Sequence, residues 1–154
     1  MKVLKTMAEN KEEPVLKNTY YYYDSKFAAT PEELQKLYRF TFWGKSRSID
    51  QIQKMLDNTG MCFSIRCNSE LVAFCRIITD FVFRASLCDI MVHPDYQGKG
   101  LGLDLIRYAL DHPAIKDIPI VMTYTSELIG YMGKLGFEPR EGLLILQRKP
   151  IEYT

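Results

Sequence analysis

The sequence predicts an α/β domain in which a single mixed β-sheet is flanked by about four helices. Three observations predict this class. The chain has 154 residues, a length that favours one domain with one sizeable core. Segments with helical and with strand-like apolar patterns follow one another in the order β-α-α-β-β-β-α-β-α-β. Consecutive strands in the middle of the chain are joined by short polar turns, which is typical of hairpins.

The N-terminal segment, residues 1–17, is rich in lysine and glutamate and shows no clear period. We therefore predict a flexible N-terminal tail at 1–17, followed by a single domain at 18–154. Residues 19–24 include four consecutive tyrosines and have a high β propensity. We predict that they form the first strand of the domain, with alternating buried rings.

Two capping boxes predict the starts of the first two helices. Thr30 is placed as an N-cap, Pro31 occupies the first helical position and Glu33 lies where it can close the box. Ser48 and Gln51 repeat the same spacing further along the chain. The polar segment between the two helices, 43–47, is predicted to be a loop.

The central part of the chain is predicted to form three strands joined by two hairpins. Residues 61–67 and 71–79 flank a short polar turn, and a second turn near 80–84 leads into a strand at 85–92. That last strand is apolar on both faces apart from one aspartate, which is typical of a central strand. The remaining predicted elements are a helix after a glycine-rich loop, a strand at 118–124, a helix at 127–135 and a strand at 143–148.

The charge of the chain excludes several classes of partner. The formal net charge of +1 gives no bulk attraction to nucleic acid or to an anionic membrane surface. No apolar run approaches the length of a membrane span. The start, MKVLKTMAENKEEP, has charged residues where a secretory signal has an apolar core, so we expect a cytoplasmic protein.

The four cysteines form no C-x-x-C pair, and the chain has only two histidines, so no metal site is predicted. In a reducing compartment the thiols are expected to be free. Cys75 and Cys88 are about equidistant from the second hairpin turn, which makes them candidate neighbours across that hairpin.

The segment HPDYQGKGLG, residues 93–102, places three glycines directly between a strand and a helix. The first N–H groups of a helix have no partner within the helix, and the helix dipole adds partial positive charge there. A phosphate or pyrophosphate binds well at such a position if no Cβ obstructs its approach. The loop therefore predicts a phosphorylated ligand that touches the backbone.

The spacing of the glycines excludes two common nucleotide loops. A P-loop requires Ser or Thr after its lysine, whereas Lys99 is followed by Gly100. A dinucleotide fingerprint requires G-x-G-x-x-G within a β-α-β unit, whereas the glycines here are evenly spaced and follow antiparallel hairpins.

The motif that does fit is Q-x-x-G-x-G preceded by V-x-P, and with it the sequence resembles the GNAT superfamily of acetyl-CoA-dependent N-acetyltransferases. The resemblance implies the GNAT fold and acetyl-CoA as cosubstrate. It implies that the strand before the loop pairs with the pantetheine arm and that the loop binds the pyrophosphate of coenzyme A. Lys99 is either a charge near the phosphates or a solvated lysine. The cofactor-binding residues carried over by position are Ile90, Met91, Val92, Gln97, Gly98, Lys99, Gly100, Leu101, Gly102 and Leu103.

The resemblance extends to a bacterial subgroup through the segments FWGKSRS, RIITDF and LCDIMV and the C-terminal GF. In the superfamily the connection between the first two helices borders the acceptor, which implies substrate-binding roles for Trp43, Lys45 and Arg47. The alternative is that Trp43 fills the core and the two cations are solvated. Asp80 is either a counter-charge for a cationic acceptor or a residue that hydrogen-bonds its own turn.

Two residues are predicted to be catalytic, Asp89 and Tyr131. Asp89 is charged within an apolar strand beside the implied thioester, and burial is expected to raise its pKa towards that of a useful base. The alternative is a buried aspartate bound to a backbone amide or to Arg76. The superfamily often has a tyrosine four residues before the glycine of the GF as the proton donor to the thiolate. Met132 stands there, so the donor is Tyr131, Tyr124 or water.

The resulting prediction is transfer of an acetyl group from acetyl-CoA to a primary amine, with a small-molecule acceptor favoured over a protein. The alternative is a non-catalytic module that binds or senses acyl-CoA. The acceptor class stays open between polyamine, arylalkylamine, amino acid, antibiotic and protein amine. A monomer and a homodimer are equally compatible with the sequence.

Overall fold

The computed structural model describes residues 13–125 and 128–142, and these residues form one six-stranded mixed sheet and four α-helices. The predicted fold class is confirmed. The strands lie in the sheet in their chain order. They are β1 (Val15–Lys17), β2 (Tyr20–Tyr23), β3 (Met61–Cys67), β4 (Glu70–Thr79), β5 (Arg84–Val92) and β6 (Ile120–Thr123).

The first two helices begin where the capping boxes predict. The Thr30 hydroxyl accepts from the Glu33 N–H and the Glu33 carboxylate accepts from the Thr30 N–H, and Ser48 and Gln51 do the same. The helices are α1 (Pro31–Tyr38), α2 (Ile49–Asn58), α3 (Leu101–Leu110) and α4 (Ile129–Gly133).

The sheet begins earlier in the chain than the sequence analysis predicts. Val15–Lys17 pairs with Tyr20–Tyr23 in an antiparallel hairpin, although these three residues were assigned to the tail. A three-residue strand is too short to show a period, which is why its pattern predicts nothing. The strand predicted at 143–148 lies outside the described residues, as do residues 126 and 127.

The pairs from β1–β2 to β4–β5 are antiparallel, and among the described strands only β5 and β6 run parallel to each other. The pairing with β6 covers only Arg84 to Leu87, so the second half of β5 has no described strand partner on that side. The two faces of the sheet bury separate cores. One core packs against α3 around Phe63 and Ile106, and the other packs against α1 and α2 around Tyr38 and Phe74.

The register of the β4–β5 hairpin shifts once, between Phe74 and Arg76. Arg76 pairs with Cys88 and Phe74 pairs with Met91, so one residue of β4 stands opposite two residues of β5, which is a β-bulge. Cys75 and Cys88 are not paired across the hairpin, because the register set by the hairpin turn already places Cys88 opposite Arg76. All four cysteines are free.

No helix among residues 13–125 and 128–142 has the length and apolar content needed to cross a membrane.

Candidate active site

The glycine loop connects β5 to α3 and presents bare backbone at the start of that helix. Gly98 and Gly100 have positive φ angles of 75° and 79°, a conformation that residues with a Cβ rarely adopt. A Cβ built on either glycine would meet no atom within 4 Å, so the space above both is open. Gly100 is the N-cap of α3, and no side chain caps the first N–H groups of the helix. This arrangement fits the phosphates of coenzyme A.

Gly102 is required by close packing and not by a positive φ angle. Its backbone is helical, and a Cβ at this position would overlap the hydroxyl of Tyr131. The same Cβ would lie 3.5 Å from the side chain of Val92. Tyr131 thus reaches from α4 to the first turn of α3 and lies beside the end of β5.

The side chain of Gln97 holds the loop against the end of β5. Its amide Nε2 donates to the Val92 carbonyl oxygen at 3.0 Å. The next residue of the chain, His93, donates its N–H to Val72 on β4 at 2.8 Å. Because backbone groups alternate in direction along a strand, the N–H and the C=O of Val92 point away from β4, towards the side that β6 leaves open.

The other predicted cofactor residues surround this junction. Met91 is buried in the core beneath α1 and α2, whereas Ile90 and Val92 are half-buried against the core beneath α3. Leu101 is buried and Leu103 is half-buried. The ammonium of Lys99 lies 4.8 Å from the ring centroid of Tyr96, so this exposed lysine stacks on the loop.

Asp89 occupies the bulge of β5. Its φ of 53° is left-handed, a conformation that aspartate tolerates better than most residues. The bulge directs the carboxylate towards the helices α1 and α2, where it meets three donors. Oδ2 accepts from the Tyr38 hydroxyl at 2.8 Å, from Nη1 of Arg47 at 2.9 Å and from Nε of Arg76 at 2.7 Å. We call Tyr38, Arg47, Arg76 and Asp89 the arginine cluster.

The expected rise in the pKa of Asp89 is wrong. Burial does raise the pKa of this carboxyl, but the charges of Arg76 and Arg47 and the hydrogen bonds from Arg76 and Tyr38 outweigh it and lower the pKa below its usual range. Asp89 is therefore a stable carboxylate. Of the alternatives that the sequence left open, the contact with Arg76 is the one present.

Arg47 is held in place by two aromatic rings as well as by Asp89. The guanidinium carbon lies 4.5 Å from the centroid of Tyr38 and 5.2 Å from that of Trp43. The two rings contact each other edge to face at 5.8 Å. Trp43 is half-buried and packs against the core, while Lys45 is exposed, so the loop brings Trp43 and Arg47 together but not Lys45.

An open cavity of about 330 Å³ lies beside the arginine cluster, between α2 and the sheet. It is lined by Arg47, Gln51, Ile52, Met55 and Arg76. Arg47 and Arg76 also belong to the arginine cluster, so the hydrogen bonds of Asp89 connect the wall of the cavity to the bulge of β5. The sequence analysis missed Tyr38, Gln51, Ile52 and Met55 as site residues. The spacing of Tyr38, Ile52 and Met55 predicts a core face, and Gln51 is predicted only as a capping-box residue, so it takes the fold to show that these residues border the cavity or its cluster.

Asp80 lies at the tip of the β4–β5 hairpin and binds its own turn. Its Oδ1 accepts from the backbone N–H groups of Val82, Phe83 and Arg84 at 2.8 to 3.0 Å. These hydrogen bonds lower the pKa of the carboxyl. The geometry is that of a turn-forming aspartate, which is one of the two alternatives that the sequence left open.

Tyr131 is the predicted catalytic residue of α4. Burial raises the pKa of its phenol, and the nearby charge of Asp104 raises it further, so the hydroxyl keeps its proton at neutral pH. Met132, at the position where the superfamily often has tyrosine, is buried in the core beneath α3.

The mixed sheet, the fifth strand that pairs with β6 over only half of its length and the glycine loop that follows it together have the architecture of a GNAT acetyltransferase. A family model described as the acetyltransferase (GNAT) family matches residues 28–137. The chain belongs to this family.

Relatives of known name agree with this membership. An uncharacterized N-acetyltransferase ycf52 from Pyropia yezoensis is 30% identical over 68% of this chain and 63% of its own length. A ycf52-like protein from Prochlorococcus marinus is 32% identical over 61% of this chain and 54% of its own length. The chain thus spans less than two thirds of these curated relatives. A putative acetyltransferase from Xanthomonas campestris has the same fold, with a TM-score of 0.75 at 23% identity, covering 83% of this chain and 92% of that one.

Proposed function

We propose that the protein is an N-acetyltransferase that moves an acetyl group from acetyl-CoA directly to the primary amine of a small molecule. The observation that carries this proposal is the placement of β5. The half of β5 that has no described strand partner on the β6 side leads into the glycine loop at Gly98. The bulge residue of β5, Asp89, binds the two arginines that line the cavity. One strand therefore joins a site for the donor to a site for an acceptor.

The loop residues 97–103 would hold the pyrophosphate of acetyl-CoA. The left-handed Gly98 and Gly100 turn backbone N–H groups outwards, and no side chain competes for the first N–H groups of α3. The backbone of Ile90 to Val92, free of β6, would pair with the pantetheine arm as an added strand. Lys99 stays within the loop on the ring of Tyr96 and adds positive charge at its rim.

Acetyl-CoA supplies a thioester, whose carbonyl oxygen gains negative charge when an amine attacks its carbon. A hydrogen-bond donor that is already oriented stabilises this charge. We assign that role to the backbone N–H of Val92, because it points away from β4 at the end of the strand that would hold the donor.

The acceptor amine must lose a proton before it can attack, since an ammonium has no lone pair. Asp89 is a poor base for this step, because three donors already bind its Oδ2 and its pKa is lowered. We assign Asp89 the role of a positioning residue that fixes Arg47 and Arg76. The two guanidinium groups carry more charge than the carboxylate balances, and a neighbouring positive charge favours the neutral amine. Water would then accept the proton.

Tyr131 would give its proton to the departing thiolate, and the second proton that the acceptor nitrogen loses as the amide forms would restore the phenol through solvent. Its hydroxyl lies over Gly102 and beside Val92, and its raised pKa keeps the proton available at neutral pH. A phenol of high pKa is a weak acid, but a thiolate is a good leaving group, so this step needs little assistance.

The test is release of free thiol from acetyl-CoA in the presence of a panel of primary amines. We expect release that depends on both the enzyme and the amine. Tight binding of coenzyme A without release by any amine would instead indicate an acyl-CoA-sensing module. Protection against thermal unfolding by ATP but not by coenzyme A would show that the assignment of the loop is wrong.

A further inference from the structure

The cavity beside α2 has an excess of positive charge. The described residues that line it include two arginines and no carboxylate. Behind them Asp89 balances one of the two charges, and burial and the Asp89 carboxylate raise the pKa of Tyr38, which keeps that phenol neutral. The arginine cluster therefore carries a formal net charge of +1, two positive charges against one negative.

Both guanidinium groups retain donors for a second anion. Each guanidinium carries five N–H donors. Asp89 Oδ2 is contacted by Nη1 of Arg47 and by Nε of Arg76. Nη1 of Arg76 also donates to the Thr59 hydroxyl at 3.4 Å. The side chain of Arg47 is 32% exposed, that of Arg76 is 16% exposed, and both line the cavity, so each presents donors to it.

The orientation of Arg47 is set before any ligand arrives. Tyr38 and Trp43 stack on its guanidinium, and Asp89 holds one of its nitrogens. A planar group held in this way loses little entropy when it binds a planar anion. The part of the cavity wall that Ile52 and Met55 form is apolar and can contact the hydrocarbon part of a ligand.

We propose that the acceptor is an amine that also carries an anionic oxygen group, a carboxylate or a phosphate, which binds Arg47 and Arg76 in this cavity. The inference rests on the proposed function and narrows its acceptor class. A molecule with an amine, an apolar chain and a carboxylate, such as an apolar amino acid, matches the charges and the wall of the cavity. Polyamines, which carry only positive charge, do not.

The kinetic test compares acceptors that differ in one group. Leucine is compared with leucinamide, and O-phosphoethanolamine with ethanolamine. We expect kcat/KM to be about tenfold to a hundredfold higher for the anionic member of at least one pair, since charge-assisted hydrogen bonds are among the stronger ones. The pair that shows the preference distinguishes carboxylate from phosphate. Equal kcat/KM values within both pairs would overturn the proposal.

Variants assign the preference to Arg47. In Arg47→Gln the preference should disappear, mainly through a higher KM for the anionic acceptor. Arg47→Lys keeps the positive charge beside Asp89 and should retain a reduced preference for the anionic acceptor. This variant keeps the test informative if Arg47→Gln does not fold. Lys54→Gln is the matched control, because this exposed lysine lies on α2 but does not line the cavity. A preference that survives Arg47→Gln would contradict the assignment.

A binding measurement separates this inference from the proposed function. Trp43 is the only tryptophan of the chain and lies against Arg47, so its fluorescence reports on the cavity. We expect N-acetyl-leucine or inorganic phosphate, but not N-acetyl-leucinamide, to change the emission saturably in the wild type and in Lys54→Gln. If the emission changes in this way but no acetyl transfer is found, the anion site is supported and the proposed enzymatic activity is refuted. Turnover of neutral amines without this response would refute the anion site alone.

Discussion

The Nη1 atom of Arg47 lies 2.9 Å from Oδ2 of Asp89, although the two residues are 42 positions apart in the sequence. The contact connects the loop between α1 and α2 to the bulge of β5. Since Asp89 also binds Arg76, one carboxylate determines where both arginines of the cavity stand. This relationship makes Asp89 a positioning residue, and its replacement is the first test.

Asp89→Asn should lower both stability and turnover. Removal of one partner from a mostly buried ion pair leaves the other charge uncompensated, and we expect a loss of about 2–4 kcal/mol in the free energy of unfolding. Chemical denaturation measures it. KM for the acceptor should rise, because Arg47 and Arg76 lose their anchor. Unchanged KM together with loss of the acidic limb of the pH–rate profile, where a general base becomes protonated, would identify Asp89 as the base instead.

The same carboxyl should make stability depend on pH in acid. A carboxyl whose pKa is lower in the folded than in the unfolded chain stabilises the fold above its unfolded pKa, about 3.9, and this contribution is lost as pH falls through the folded pKa. The wild type should therefore lose stability below about pH 4 more steeply than Asp89→Asn. Glu33→Gln is the control, since the pKa of Glu33 is also lowered but this residue pairs with Arg66, away from the cavity. Glu33→Gln should also reduce the loss of folding stability in acid, but it should leave KM for the acceptor unchanged.

Gly100→Ala tests the glycine loop. An alanine at a φ of 79° costs about 1–2 kcal/mol, and its methyl group would project into the open space above the loop, where the phosphates are proposed to bind. We expect coenzyme A to bind roughly tenfold more weakly by calorimetry, a change of about 1.4 kcal/mol. Gly130→Ala is the control, because Gly130 is helical and a Cβ there has open space. Equal affinity in both variants would show that the phosphates bind elsewhere.

Gly102→Ala tests the contact between α3 and Tyr131. The added methyl group overlaps the Tyr131 hydroxyl, so we expect a loss of about 1–3 kcal/mol in stability. In a Tyr131→Phe background the hydroxyl is gone and the loss should be smaller. A double-mutant cycle measures this coupling. Additive effects would mean that the tyrosine does not occupy this position.

Gly44→Ala tests how the loop presents Arg47. A Cβ at Gly44 would lie 2.6 Å from the ring of Tyr38 and 2.8 Å from the hydroxyl of Thr41. The loop must then move away from Tyr38, which takes Arg47 off the ring on which it stacks. We expect a higher KM for the acceptor and an unchanged affinity for coenzyme A. A weaker affinity for coenzyme A together with an unchanged KM for the acceptor would contradict the proposal that this loop contributes to the acceptor site and not to the coenzyme A site.

The sequence predicts the parts of this fold that depend on local patterns. Both capping boxes and the glycine loop involve residues within a few positions of one another, so their chemistry is visible in the sequence. The bulge at Asp89 is not, because its left-handed backbone is imposed by the register of β4 against β5. The lowered pKa of Asp89 follows from that bulge. The partners Tyr38 and Arg47 come from a distant segment, so the sequence leaves open whether Asp89 is a base or is bound to Arg76, and it does not predict the other two contacts.

The central claim is tested most directly by following the acetyl group itself. Acetyl-CoA labelled with ¹³C in its acetyl group is incubated with the enzyme and leucine or O-phosphoethanolamine, and the products are identified by mass spectrometry. The account predicts one labelled N-acetyl amine for each molecule of coenzyme A released. Labelled acetate at a rate independent of the amine, or no release of coenzyme A with any amine tried, would contradict it.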